Sequence, residues 1–89
     1  MTRLELSEFR HLRWLYIKTG RGRIMRDARY KELYLRFWES ASELDGVQRV
    51  IYTTYYHDAR TITYIAMMLN YSERSVKRIK RTAVMRVVG

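Results

Sequence analysis

Cysteine is missing from all 89 residues. Its absence excludes disulfides and thiolate metal sites and is compatible with an intracellular setting. Proline is missing as well, and glycine occurs only four times, so few breakers interrupt long helices. The two histidines, His11 and His57, lie far apart and in neither an H-E-x-x-H nor an H-x₃₋₅-H spacing, and both read as surface or capping residues. The nine acidic residues are too scattered for a two-metal site. Gly20-Arg21-Gly22 lacks the strand and spacing of a phosphate-binding loop. These gaps predict a chain that is not an enzyme, with no catalytic residue, no metal and no cofactor. No apolar run approaches the roughly 20 residues of a membrane span, and the first residues lack the apolar stretch of a secretion signal. Internal repeats and low-complexity segments are absent too.

What the chain has is positive charge: 18 Lys and Arg against nine Asp and Glu, a formal +9. Its distribution matters more than its size. Counting cations minus anions, residues 1–31 give 9 − 3 = +6, residues 32–60 give 3 − 5 = −2 and residues 61–89 give 6 − 1 = +5. Two basic ends around a mildly acidic middle are what a protein needs when two separate parts approach a polyanion. A hydrophobic content of 47% and an aromatic content of 13% argue for a folded chain, and its length for one domain with a modest core.

The organising stretch is residues 61–87. Ile62, Ile65, Ala66 and Leu69 recur at helical spacing, with Thr61 and Thr63 as N-cap types at the start. Asn70-Tyr71-Ser72 then breaks the run: Asn tolerates the left-handed conformation that ends helices, and Ser72 can cap the next one. In that second helix, residues 73–87, Val76, Ile79, Ala83 and Val87 form a buried stripe. Arg74, Lys77, Arg78 and Arg81 fall on the opposite side of the wheel. Small Ala66 lies where the two helices must approach closely. A basic amphipathic helix is often only a solvated one, but here Glu73 alone offsets the six cations Arg74, Lys77, Arg78, Lys80, Arg81 and Arg86. A short helix, a tight turn and a basic second helix make the helix-turn-helix pattern, which lays its second helix in the DNA major groove. Membrane binding is disfavoured, because the large apolar residues of the basic helix lie on the side its neighbour covers.

Upstream, Thr2 and Glu5 form a capping box that starts a helix near Arg3. Its apolar face of Leu6, Phe9, Leu12 and Tyr16, with Trp14 or Leu15, runs to Ile17, and Lys18 suits the last turn. Residues 19–23 form a basic loop, where Arg21 and Arg23, with Arg26 just beyond, are candidates for a secondary phosphate patch. A second helix is expected over residues 24–43, with Met25, Ala28, Leu33, Leu35, Phe37, Trp38 and Ala41 around much of its circumference. Tyr30, Tyr34, Phe37 and Trp38 form an aromatic cluster that reads as core rather than as a base-stacking platform. Asp45 is placed to cap a third helix, residues 46–56, with Val47, Val50, Ile51 and one of Tyr55 and Tyr56 facing inward. Residues 57–60 connect it to the helix-turn-helix. The expected fold is all-α, with about five helices in a single helical domain, residues 1–89: an N-terminal helix pair, residues 1–43, and a C-terminal part, residues 45–87, containing the helix-turn-helix.

Thr61, Ile65-Ala66, Leu69, Ser72, Ser75-Val76, Ile79 and Ala83 also carry a resemblance. They resemble the helix-turn-helix of the promoter-reading C-terminal domain of bacterial sigma factors. The turn with Tyr71-Ser72, and Leu44-Asp45-Gly46-Val47 with Tyr55-Tyr56 upstream, make residues 38–87 similar to small phage and prophage regulators of the ArpU/RinA type. Tyr64 departs mildly from the Trp or polar residue that often precedes Ile-Ala in those patterns. The resemblance implies a transcriptional regulator in the cytoplasm of a bacterial host, with a third helix bracing the last two in a C-terminal three-helix bundle, residues 45–87.

Together these readings predict a sequence-specific DNA-binding regulator. Arg74, Lys77 and Arg78 would enter the groove, while Lys80 and Arg81 would hold flanking phosphates. Thr61, Thr63, Asn70, Tyr71, Ser72 and Ser75 are candidates at the backbone and the helix start. Double-stranded DNA is the expected partner, with a homodimer or RNA polymerase as a second one. Two alternatives remain: a DNA-packaging protein like a small terminase, and a protein-interaction module whose acidic, aromatic middle binds RNA polymerase.

Overall fold

The computed structural model describes residues 1–20 and 26–88. Among the described residues there are five helices and no strand: α1 (Arg3–Thr19), α2 (Ala28–Ala41), α3 (Gly46–Tyr56), α4 (Ile62–Leu69) and α5 (Glu73–Val88). The fold is all-α, as expected. Each helix starts where a short polar side chain can satisfy its first amides. At α1 the capping box forms in full: Thr2 Oγ1 accepts from the Glu5 N–H at 3.1 Å, and Glu5 Oε1 accepts from the Thr2 N–H at 2.9 Å. Gly20, at φ +64°, ends α1, its N–H returning to the Tyr16 carbonyl.

The second helix begins later than residue 24. Asp27 is its cap, accepting from the Tyr30 N–H at 3.1 Å, and Arg26 sits in the turn before it. It also ends at Ala41 rather than 43. Asp45 stands at the cap position of α3, but its side chain makes no capping bond.

Two apolar clusters hold the helices together. The larger joins Leu6 and Phe9 of α1, Tyr30, Leu33, Phe37 and Ala41 of α2, Leu44 of the turn that follows, Tyr52 and Tyr56 of α3, and Ala83 and Val84 of α5. Phe9, Phe37 and Tyr52 stack in series, with centroid separations of 4.6 and 4.9 Å. The aromatic cluster of α2 is therefore core, as expected. Burying side chains of this size contributes about 1.5–3 kcal/mol each. The smaller cluster, Ile51, Ile65, Ala66 and Val76, locks α3, α4 and α5 into the three-helix unit. Polar groups in the core are satisfied: Ser40 Oγ donates to the Phe37 carbonyl at 2.6 Å and lies 2.7 Å from the Tyr52 hydroxyl.

Several residues expected on apolar faces are on the surface, Ile17, Ala28, Leu35 and Val50 among them. Leu35 is 67% exposed and Val50 is 41% exposed. Among the described residues α2 packs mainly against α1 and α3, and Leu35 falls outside both contacts. α3 is gripped from both sides, so Ile51 enters one cluster while Tyr52 and Tyr56 enter the other, leaving Val50 outside.

Candidate nucleic-acid interface

The site is built on the turn between α4 and α5. Thr61 caps α4 by accepting from the Tyr64 N–H at 3.1 Å. Thr63 lies inside the first turn instead, and its hydroxyl donates to the Glu73 carboxylate at 3.3 Å, tying α4 to the start of α5. Asn70 takes the left-handed conformation, φ +57°, and the following Tyr71 N–H returns to the Ala66 carbonyl at 2.9 Å. These bonds close the end of α4 without glycine. Ser72 Oγ then accepts from the Ser75 N–H at 3.1 Å and donates to Ser75 Oγ at 3.0 Å, so both serines are engaged in starting α5. Ala66, buried against Val76, lets the two helices approach closely.

This frame leaves one side of α5 bare. Arg74, Ser75, Lys77, Arg78 and Arg81 line a notch of about 500 Å³. All four cations are exposed, and none takes part in an ion pair among the described residues. The carboxylates that might have neutralised them are used elsewhere. Glu5, Glu8 and Glu32 pair with Arg29 and Arg36 across α1 and α2. The Thr2 N–H bond, helped by Arg36 and opposed by desolvation, holds the Glu5 carboxyl below its ordinary value. The hydrogen bond to Glu8 raises the Arg29 guanidinium, again against desolvation.

Other expected residues land differently. Lys80 does not share the bare side: it is half-buried, with Nζ 4.3 Å from the centroid of the Tyr55 ring. Arg86 donates to Gln48 Oε1 at 2.7 Å and to the Glu43 carbonyl at 3.1 Å, which makes it a strut between α5 and the start of α3. Arg26 is exposed. Arg21 and Arg23 lie outside the described residues.

The sequence reading missed the part played by α1. Arg10 donates from Nε to the Tyr55 carbonyl at 3.0 Å and from Nη2 to the Arg60 carbonyl at 3.1 Å, its guanidinium 4.2 Å from the Tyr55 centroid. Arg13, one turn further on, is only 9% exposed; it donates to the His57 carbonyl at 2.7 Å and to the Tyr30 hydroxyl at 2.9 Å. Two α1 arginines thus fix the connector that aims α4 and α5. Their three-residue spacing was visible, but backbone carbonyls as partners leave no trace in a sequence.

Among the described residues, no three His, Asp or Glu side chains gather where they could hold a metal ion, and no helix is long and apolar enough to cross a membrane. The described residues form an all-α fold of five helices whose last three contain a helix-turn-helix. No protein-family model, no curated protein and no solved structure matches it.

Proposed function

We propose that this chain is a sequence-reading DNA-binding protein of transcriptional control, of the small phage or prophage kind, which lays α5 in the major groove. The observation that carries the reading is the set of four unpaired cations, Arg74, Lys77, Arg78 and Arg81, on the bare side of the helix that follows a tight turn. Like charges held together without carboxylates repel one another, and a polyanion relieves that repulsion. Arg74 and Arg78 lie four residues apart, on one side of the helix. An arginine so placed can grip guanine O6 and N7 with two parallel hydrogen bonds. Lys77 and Arg81 flank them at phosphates, and the amides at the start of α5 face another phosphate. Thr61, Thr63, Asn70 and Tyr71 are at hand for further backbone contacts. No step of bond chemistry belongs to this function.

A single helix-turn-helix reaches specific affinity with a second copy or a polymerase partner. The outer side of α4 favours such a contact, because Tyr64, Met67 and Met68 are exposed there. The aromatic residues of the middle segment are less suited to it, since Phe37, Tyr52 and Tyr56 are buried.

The test is fluorescence anisotropy on mixed-sequence duplex and on selected duplexes across a salt series. The expected result is a steep fall of log affinity with log salt, with preference for some sequence. Arg74→Ala and Arg78→Ala should each cost about 1–3 kcal/mol on the preferred duplex and far less on mixed sequence. A steep slope without preference would leave a packaging or architectural role. No binding to duplex at moderate salt would sink the proposal.

A further inference from the structure

Two cations of α1, Arg3 and Arg10, line the same clefts as three cations of α5. Arg3, Ser7 and Arg10 recur at four and three residues, one side of a helix. Across from them stand Lys77, Lys80 and Arg81. Two adjoining clefts, of about 490 and 530 Å³, run between these walls and share Ser7, Tyr55, Tyr56 and Lys80. Five cations line them, Arg3, Arg10, Lys77, Lys80 and Arg81, and no carboxylate does. The Tyr55 ring lies between the walls, with Arg10 4.2 Å and Lys80 4.3 Å from its centroid. The hydrogen bonds of Arg10 go to neutral carbonyls, so its charge is not cancelled. Glu5 and Glu8, the acids of α1, reach to α2 on another side. Lys77 and Arg81 line both this groove and the outer notch of α5, so the basic surface is continuous.

We propose that this groove holds the sugar-phosphate backbone of one DNA strand beside the groove that α5 enters, which makes α1 a second wall of the binding site. The inference rests on the DNA-binding reading above and adds the strand, its location and the residues that grip it. Arg3 and Arg10 are about 10 Å apart along the axis of α1, at 1.5 Å per residue. That spans about three phosphates, at 3.4 Å of duplex axis per residue of one strand. Arg3, Lys80 and the Ser7 hydroxyl donate to phosphate oxygens, and Arg10 adds charge while holding the connector. These contacts carry no sequence information; they add affinity and fix register.

Counterion release gives the test. Each lost phosphate contact should flatten the plot of log affinity against log salt by about 0.9. Arg3→Ala and Lys80→Gln are expected to do so singly and to sum in the double variant. The ratio between preferred and mixed duplex should stay unchanged. Lys80→Arg should restore the slope, and Lys31→Gln, on α2 and away from the groove, should leave it alone. Hydroxyl-radical footprinting should show protection of one strand beyond the bases contacted by α5, lost in the double variant. Helicity by circular dichroism confirms that each variant is folded. If wild-type protein binds with sequence preference while the double variant keeps the wild-type slope and footprint, the groove assignment is overturned and the α5 reading stands. If wild type binds no duplex, both fall.

Discussion

Arg13 donates from Nε to the backbone carbonyl of His57 at 2.7 Å, so a buried guanidinium of α1 fixes the end of α3. Its Nη1 reaches the Tyr30 hydroxyl of α2 at 2.9 Å, so one side chain joins three helices. No carboxylate pairs with it among the described residues.

Removing that side chain should therefore act on stability. Arg13→Ala strands a carbonyl and a phenol in a largely dry place, and is expected to cost about 2–3 kcal/mol. Arg13→Lys should recover less than half, because one ammonium cannot reproduce two divergent N–H directions. Urea unfolding measures both. A change within about 0.5 kcal/mol for the alanine variant would show that the tie contributes nothing.

A gain in stability is expected one turn away. Ala59 sits at φ +54°, a conformation that disfavours a Cβ by about 1–2 kcal/mol. Ala59→Gly removes that strain and adds about 0.4–1 kcal/mol of unfolded-chain entropy against it. The balance should stabilise by up to about 1 kcal/mol, read from the urea midpoint. A lowered midpoint would mean that the connector is not strained there.

Alkaline pH should unfold the chain from its core. Burial pushes the hydroxyls of Tyr52 and Tyr56 up to about 12, from an ordinary 10. The Ser40 bond to Tyr52 and the charges of Arg10 and Arg3 near Tyr56 offset this only in part. A pKa raised in the folded state gives stability that is whole below pH 10 and lost as pH rises through 12. The loss is on the order of 2 kcal/mol per ring. Tyrosinate absorbance followed beside helicity should show a late component from Tyr52 and Tyr56 that rises together with loss of helix. If no late component appears while the protein is folded, these two rings are not shielded.

The readable parts of this chain were those fixed by neighbours in sequence. Thr2, Thr61, Asn70 and Ser72 do what their residue types and positions predicted, because capping is decided within three or four residues. The stripe of Val76 and Ala83 was legible from periodicity for a similar reason. Asp27 was equally local; the apolar Ile24 and Met25 before it drew the expected helix start too early. Tyr52 and Val50 exchanged roles because α3 lies between two clusters, and burial there depends on partners from distant segments. The half-buried place of Lys80 was readable from periodicity. At 100° per residue it falls about 40° from Val76, beside the buried stripe rather than opposite it. The α1 side of the candidate site needed the fold itself: the sequence holds Arg3, Ser7 and Arg10 at one spacing, but nothing in it says that Lys80 stands across from them.

The division of charge around α1 and α2 bears on how the molecule meets a partner. Glu5, Glu8 and Glu32 lie toward the α1–α2 seam, while the unpaired cations gather around α5 and the groove beside it. Opposite charges separated in this way give the molecule an electric moment as well as a net charge. In the field of a long polyanion that moment exerts a torque, turning α5 inward before any atom touches. For the DNA partner proposed above, fewer encounters would be wasted on the wrong side, so the arrangement would act on the rate of association as well as on the contacts that follow.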